Sequence, residues 1–365
     1  MPRRRQKVVV RGWIVWAVAA AVVLLAPIPA GVVEAYYSWG VYPRLQNGLT
    51  LVSNMAPVAL LDVLLVLVLL VALARLLWLV RTVRANGVMA AGWEAARRLI
   101  RAASILIVLF MCLWGWNYRR VPLEAALGTA PEPSVAVLTA AVRDANALAA
   151  SLRPRLGIDH EISYADAANR LREPMRAALG ELRRDVRFRP GRPKYSMLLT
   201  PFFTAAGVNG MLNPFALESI VHSELLPVER GFVLAHEWAH LAGHADEAEA
   251  SAVGWFACMR GGPVLAYSAS LYLILEAGGA LPGEARARAF ASLDAGVRED
   301  LAQIAARMQE QQPQVQRAAF RVYDEYLRAN QVEDGTASYG RALSLILSPP
   351  MRGALDGYRD APINP

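Results

Sequence analysis

Three long apolar segments in the first third of the chain constrain its fold more than any other feature. They cover residues about 13–33, 56–80 and 100–117. A helix needs about 20 predominantly apolar residues to cross a bilayer. The segments therefore predict that residues 1–117 form a membrane region with three transmembrane helices, and that the lipid bilayer is a partner. Asp62 lies near the end of the second segment, where hydration is easy, so we interpret it as structural.

The distribution of basic residues predicts how these helices are oriented. Residues 1–117 contain 12 of the 38 basic residues but only 3 of the 31 acidic ones, so the high pI predicts no nucleic-acid partner. The positive-inside rule places the N-terminus and the arginine-rich loop after the second segment in the cytoplasm. We expect a multi-pass protein of the cytoplasmic (inner) membrane with an extracytoplasmic C-terminal domain. Arg119 and Arg120 run against this rule. A cleaved signal peptide is the alternative for the first segment, and it leaves the domain on the same side.

An HExxH motif, His236-Glu237-Trp238-Ala239-His240, lies within an uncharged stretch. Residues four apart share one face of a helix, so His236 and His240 can hold one metal ion between them. Glu237 lies one position further round, within reach of a water on that metal. Such sites usually hold one Zn²⁺ ion and catalyse hydrolysis. Three of the five histidines of the chain lie within 236–244. The alternative is a surface helix with incidental histidines.

A third protein ligand could come from any of three residues that follow the motif. Asp246 gives the spacing HExxHxxGxxD, which resembles a small group of metzincin-like peptidases. Glu247 opens the sequence Glu-Ala-Glu-Ala, which resembles the ligand helix of gluzincin-type peptidases. Asp246 also suits the N-cap of the following helix, with Glu249 as its capping-box partner. We favour Glu247 as the ligand, then Asp246, then His244, which lies beyond the helix-ending Gly243. Glu249 is expected to orient a ligand histidine or to be solvated.

The rest of the chain predicts a linker at 118–133 and one extracytoplasmic domain at 134–365. The fold class is mostly α, with the transmembrane helices followed by a zincin-like, helix-rich α+β metallopeptidase domain. Helices are predicted over 134–152, 164–179, 248–259, 264–277, 283–294, 297–311, 313–329 and 338–347. Strands are predicted over 195–199 and 218–223. A strand just before an HExxH helix often pairs with an extended peptide, and an ordinary core hairpin is the alternative.

The motif predicts hydrolysis of a peptide bond by a metal-activated water. Zinc lowers the pKa of its bound water toward ~7. Glu237 is the general base that takes the proton of this water and passes it to the leaving amine. A further donor must stabilise the oxyanion. Tyr267, Tyr272 and His222 are candidates, and their spacing does not choose between them.

A resemblance to a known family rests on five segments: 207–215, 236–251, 267–272, 322–330 and 334–340. They resemble a bacterial family of membrane proteins described only as domain of unknown function 3810, and the N-terminal apolar segments fit the layout of that family. The resemblance implies a zinc-peptidase-like site at His236, Glu237, His240 and Glu247. Ser251 stands where the family tends to have asparagine.

The leading hypothesis is a membrane-anchored zinc metallopeptidase, a hydrolase acting on a peptide or protein substrate. The alternative is a non-catalytic cell-envelope binding module that retains a metallopeptidase-like site. An intramembrane protease would require the motif to lie within a span. Glu229 and Asp246, which flank it closely, argue against that arrangement.

Overall fold

The computed structural model describes residues 3–128, 132–157, 162–182, 187–330 and 341–360. The described chain is mostly helical, as predicted, with one small two-stranded sheet. The segment 334–340, on which part of the family resemblance rests, lies outside the described residues. The predicted helix over 338–347 is described from Arg341 onward.

Long helices build the N-terminal part. They are α1 (Arg3–Leu25), α2 (Ala30–Val32), a π-helical stretch (Val33–Val41), α3 (Tyr42–Met55), α4 (Leu60–Asn86), α5 (Val88–Leu113) and a short 3-10 helix (Gly115–Arg119). Pro27 and Pro29 follow the end of α1, because proline lacks the N–H that would continue the helix. The chain bends by 106° between Gly12–Leu25 and Ala30–Met55.

Two of the described helices are long and apolar enough to cross a membrane, α4 and Val135–Arg155, and the bent pair around Pro27 would make a third. Val135–Arg155 is nearly half buried and packs in the core of the C-terminal part. The second predicted span corresponds to α4. The first is broken at the prolines instead of running unbroken to residue 33. The third predicted span falls mainly in α5, which is not among these candidates. Arginines shorten its apolar stretch: Arg97, Arg98 and Arg101.

The C-terminal part consists of shorter helices around two strands. They are α6 (Glu124–Leu127), α7 (Val135–Leu152), a 3-10 turn (Arg153–Arg155), α8 (Tyr164–Glu181), α9 (Thr200–Ala206), β1 (Gly210–Asn213), β2 (Glu218–Val221), α10 (Pro227–Leu241), α11 (Glu247–Cys258), α12 (Pro263–Ala280), α13 (Gly283–Ala291), α14 (Ala295–Met308), α15 (Pro313–Ala329), α16 (Arg341–Ile346) and α17 (Pro349–Asp360). Helices α7, α8, α10, α11 and α12 pack around one apolar core. The predicted helices are confirmed, with bounds shifted by a few residues.

The sheet lies directly before α10. Strand β1 pairs antiparallel with β2, from Gly210 opposite Val221 to Asn213 opposite Glu218. On the other side of β2, Lys194 makes a single parallel bridge. Since β1 has no second partner strand among the described residues, it forms the outer edge of the sheet. The predicted strand over 218–223 is confirmed and ends two residues earlier.

The predicted strand over 195–199 is wrong. Its backbone turns because side chains capture its N–H groups: Met197 N donates to the Asp62 carboxylate at 2.7 Å, and Leu199 N donates to Ser196 Oγ at 2.9 Å. Thr200 then begins α9. Local side-chain acceptors of this kind compete with strand pairing.

A buried carboxylate joins α4 to the sheet. Glu218, on β2, accepts hydrogen bonds from the backbone N–H groups of Leu60 and Leu61, at 3.0 and 2.7 Å. These two groups have no partner within α4 because they lie in its first turn. Lys194 Nζ pairs with the same carboxylate at 2.8 Å, and both side chains are buried. The start of this apolar helix is thereby fixed to the strand that precedes α10.

The arginines that run against the positive-inside rule have buried partners. Arg120 pairs with Glu34 at 3.0 Å and donates to Gly243 O at 3.0 Å. Arg119 donates to backbone carbonyls at the end of α1. Their position follows from these contacts, so they carry no topological information. The predicted linker over 118–133 is therefore packed at its start, where Leu123 is also fully buried.

Candidate metal centre

The HExxH motif lies on helix α10, which is largely buried. Pro227 occupies its first turn, where a missing N–H costs nothing. The Glu229 carboxylate accepts a hydrogen bond from Leu226 N at 3.1 Å, which satisfies the chain at the helix start. One turn apart near the other end, the rings of His236 and His240 stand perpendicular with centroids 4.7 Å apart. The structure thus places the two histidines next to each other on one face of the helix.

A tight turn then reverses the chain into α11. Gly243 has φ +94°, in the left-handed region that favours glycine. Asp246 is the N-cap of α11, as predicted: its carboxylate accepts from Ala248 N at 2.9 Å and Glu249 N at 3.1 Å. Its other oxygen accepts from Arg341 at 2.6 Å. With Asp246 occupied in this way, Glu247 begins the helix and faces α10.

Glu247 and the two histidines form the group of described residues that could hold a metal ion, with ligand atoms all within 4.8 Å of one another. Glu247 Oε2 lies 3.2 Å from His236 Nε2 and 3.5 Å from His240 Nε2. Tetrahedral zinc with bonds of about 2.0–2.2 Å separates its ligand atoms by about 3.3–3.5 Å. The donor set and its spacing therefore fit a zinc ion. Asp246 and His244 are not brought into this group.

Each ligand has a second partner that fixes its orientation. His240 Nδ1 donates to the His244 carbonyl at 2.7 Å, since a carbonyl can only accept, and this leaves Nε2 free to bind a metal. His236 Nδ1 lies 3.2 Å from Ser251 Oγ. The Tyr323 hydroxyl donates to Glu247 Oε1, so Oε2 is the oxygen that faces the histidines.

The side chain of Glu249 is buried. Its carboxylate accepts from Leu123 N at 2.6 Å and pairs with His244 Nδ1 at 3.0 Å. Because the His244 carbonyl holds His240, Glu249 helps to orient a ligand histidine through one intermediate residue. This is the positioning role that the sequence predicts.

Burial and mutual charge perturb the pKa values of these groups when no metal is bound. Burial alone would raise the pKa of Glu247, but the adjacent imidazoles of His240 and His236 hold it well below its usual range. Burial alone would lower the pKa of His240, but the Glu247 carboxylate raises it to about 9. The pKa of His236 is lowered, mainly by burial. Protons therefore compete with a metal mainly at His240.

Glu237 is a buried carboxyl beside the three candidate ligands. Its Oε2 has no hydrogen-bond partner in the described part of the chain. Burial raises its pKa to about 8. Gly210 of β1 approaches it so closely that an added Cβ would lie 2.6 Å from Glu237 Oε1. A carboxyl group that is buried and unsatisfied requires a partner that the described residues do not supply, and a water at the candidate metal fits this requirement.

The three candidates for oxyanion stabilisation lie at different places. The Tyr267 hydroxyl is engaged by Asp300, and burial raises its pKa. His222 contacts Thr204 Oγ1 at 3.1 Å and accepts from a backbone N–H. Tyr272 stacks on Phe232 with centroids 3.7 Å apart, close to His236. Tyr272 alone of the three lies in the layer around the ligands.

Aromatic residues that the sequence analysis missed wall the site on its other side. Trp114, just after α5, lies edge-on to His240 with ring centroids 6.4 Å apart. Tyr118 contacts both Trp114 and Tyr326, which stacks on Tyr323. Tyr323 lies within the family segment 322–330, the one sequence signal that marks it. Nothing in its spacing from the HExxH motif does so.

The fold and the site define a mostly helical protein with candidate membrane helices and a buried two-histidine, one-carboxylate cluster. The chain belongs to the family described as protein of unknown function (DUF3810), whose model matches residues 37–347. The match covers the helices α3 to α5 as well as the candidate metal centre, and it confirms the family resemblance. No curated protein and no solved structure matches the chain.

Proposed function

We propose that the protein is a membrane-anchored zinc metallopeptidase with a zincin-like domain. One observation carries the proposal: Glu237, buried and unsatisfied, lies beside three donors spaced for a tetrahedral metal. A purely structural metal site has four protein ligands, whereas a hydrolytic site has three and leaves one position open. The cluster of His236, His240 and Glu247 has the composition of the second kind.

The residues around the cluster divide the work of peptide hydrolysis. Bound zinc would acidify a water and polarise the substrate carbonyl. Glu237 accepts the proton of the attacking water and delivers it to the leaving amine. A raised pKa near neutrality suits a group that must both take and give a proton. Tyr272, which hydrogen-bonds Ser251, and Tyr323, which donates to Glu247, are the candidates for oxyanion stabilisation beside the cluster.

The position of strand β1 favours a peptide as the substrate. It is the outer strand of the sheet among the described residues, and Gly210 brings its backbone against Glu237. An extended peptide can add to such an edge through main-chain hydrogen bonds. The scissile bond would then lie beside the general base.

The orientation of the protein in the membrane is part of the same proposal. The positive-inside rule places the metal centre outside the cytoplasm. The residue after α5 and the start of α4 both contact the C-terminal part, which fits one membrane face lying beside the site.

The test uses the full chain in lipid nanodiscs, purified without chelator. We expect about one zinc per chain by mass spectrometry and cleavage of members of a peptide library. Glu237→Gln should keep the metal and abolish cleavage. Glu284→Gln, the same change at an exposed position on α13, is the matched control and should cleave normally.

Two results would reject the proposal. If the purified protein contains no metal and does not take up added zinc, the cluster is not a zinc site. Metal-loaded protein whose cellular phenotype is unchanged by Glu237→Gln would instead favour the non-catalytic envelope binding module.

A further inference from the structure

An apolar surface loop, residues 195–202, has no role in the metal centre. The sequence contains no charged residue between Lys194 and Glu218. Four large side chains of the loop are exposed: Tyr195 by 48%, Met197 by 84%, Leu198 by 51% and Phe202 by 43%. Single exposed apolar residues are common, but a cluster of them marks an interaction surface.

The loop is seated on the first turns of α4. Met197 N donates to Asp62 Oδ2 at 2.7 Å, and Asp62 is the third residue of that helix. Behind the loop, Phe203 and Leu199 pack with Leu61, Leu64 and Leu65 in a small separate core. Leu65 lies about 8 Å along the axis from the start of α4, at 1.5 Å per residue. The loop therefore lies at the depth of the first turns of the apolar helix.

The exposed surface of α4 continues from the loop. Consecutive residues beyond this contact are exposed and apolar: Val66, Leu67, Val68, Leu69, Leu70 and Val71. An 18-residue window of α4 is wholly unburied and strongly apolar. Such a surface is stable only against lipid or another apolar partner. Because the loop joins this surface at one end, the same partner would cover both.

We propose that the apolar loop inserts into the interfacial zone of the leaflet in which α4 begins. Its partner is the boundary between lipid headgroups and acyl chains, which accepts tyrosine, methionine, leucine and phenylalanine side chains without charge. The loop would thus bring the C-terminal part itself into contact with the membrane, in addition to α4. This inference does not depend on the peptidase proposal.

The experiment places a fluorescent probe at single cysteines of the full chain in nanodiscs. The background is Cys112→Ala, since Cys112 is exposed, whereas Cys258 is buried. Leu198→Cys probes the loop and Leu70→Cys the middle of α4. Arg288→Cys is the aqueous control, because its ion-paired side chain on α13 is 75% exposed. Size-exclusion profiles and thermal unfolding identify variants that remain folded.

Lipids carrying a nitroxide at shallow or deep positions, and aqueous iodide, serve as quenchers. We expect the Leu198→Cys probe to be quenched most by the shallow nitroxide, the Leu70→Cys probe by the deep one, and the Arg288→Cys probe by iodide. Iodide quenching at 198 equal to that at 288 would overturn the proposal. So would a probe at 198 that no quencher reaches, which would indicate cover by protein, and so would absence of lipid quenching at Leu70→Cys.

Discussion

Gly210→Ala tests whether the position of Glu237 determines catalysis. The new Cβ would lie 2.6 Å from Glu237 Oε1, whereas ordinary contact begins at 3.4 Å, so the carboxyl must move by about 0.8 Å. A misplacement of ~1 Å can reduce a rate about 10²-fold, which corresponds to about 2.7 kcal/mol in the barrier. Gly210 lies in a strand and its φ is not positive, so alanine itself adds no backbone strain. The three atoms nearest to the new Cβ all belong to the Glu237 side chain.

We therefore expect Gly210→Ala to lower kcat/KM on a cleaved library peptide about 100-fold while zinc content stays the same. Gly279→Ala is the matched control, because a Cβ there meets nothing within 4 Å. Gly254→Ala is the contrasting variant: its Cβ would lie 2.8 Å from the backbone N of His236, which cannot move aside, so this variant should lose metal and stability together. Full activity in Gly210→Ala, or loss of its zinc, would refute the reasoning.

Three further predictions concern the ligands. Glu247→Gln should lower zinc content after dialysis, whereas Asp246→Ala should keep zinc and lose about 1 kcal/mol of unfolding free energy with its N-cap; the reverse pattern would make Asp246 the ligand. Tyr323→Phe should weaken zinc binding about 10- to 100-fold in chelator competition, because it removes the hydrogen bond to Glu247 Oε1, and unchanged affinity would contradict this role. The pKa of about 9 at His240 means that a proton must leave before zinc binds, so apparent affinity should fall about tenfold for each pH unit below about 9. A flat affinity profile in the same chelator assay would contradict a raised pKa at His240.

Local sequence predicts the parts of the site that depend on local geometry. The pairing of His236 with His240 follows from helical spacing, and the cap at Asp246 follows from its place before α11. Glu247 as the member of the cluster follows in turn, because the cap occupies its neighbour. These relations involve residues at most a few positions apart.

The parts that could not be predicted depend on contacts between distant residues. Glu249 accepts from Leu123, 126 residues away, and Tyr323 reaches Glu247 across 76 residues. The length of the apolar run in α4 predicts a spanning helix but not the buried Glu218 that caps it. The predicted strand over 195–199 fails for the same reason, since Asp62, 135 residues from Met197, holds that backbone.

Trp114 connects α5 directly to the candidate metal centre, without an intervening linker. It follows the last residue of the helix, and its indole N–H points at the His240 carbonyl from 3.5 Å. If α5 crosses the membrane as the sequence predicts, a centre attached in this way would keep a constant height above the bilayer. The distance from the membrane would then select the bond that the proposed peptidase cleaves. Membrane-anchored substrates would be cleaved at a fixed number of residues from their own transmembrane spans.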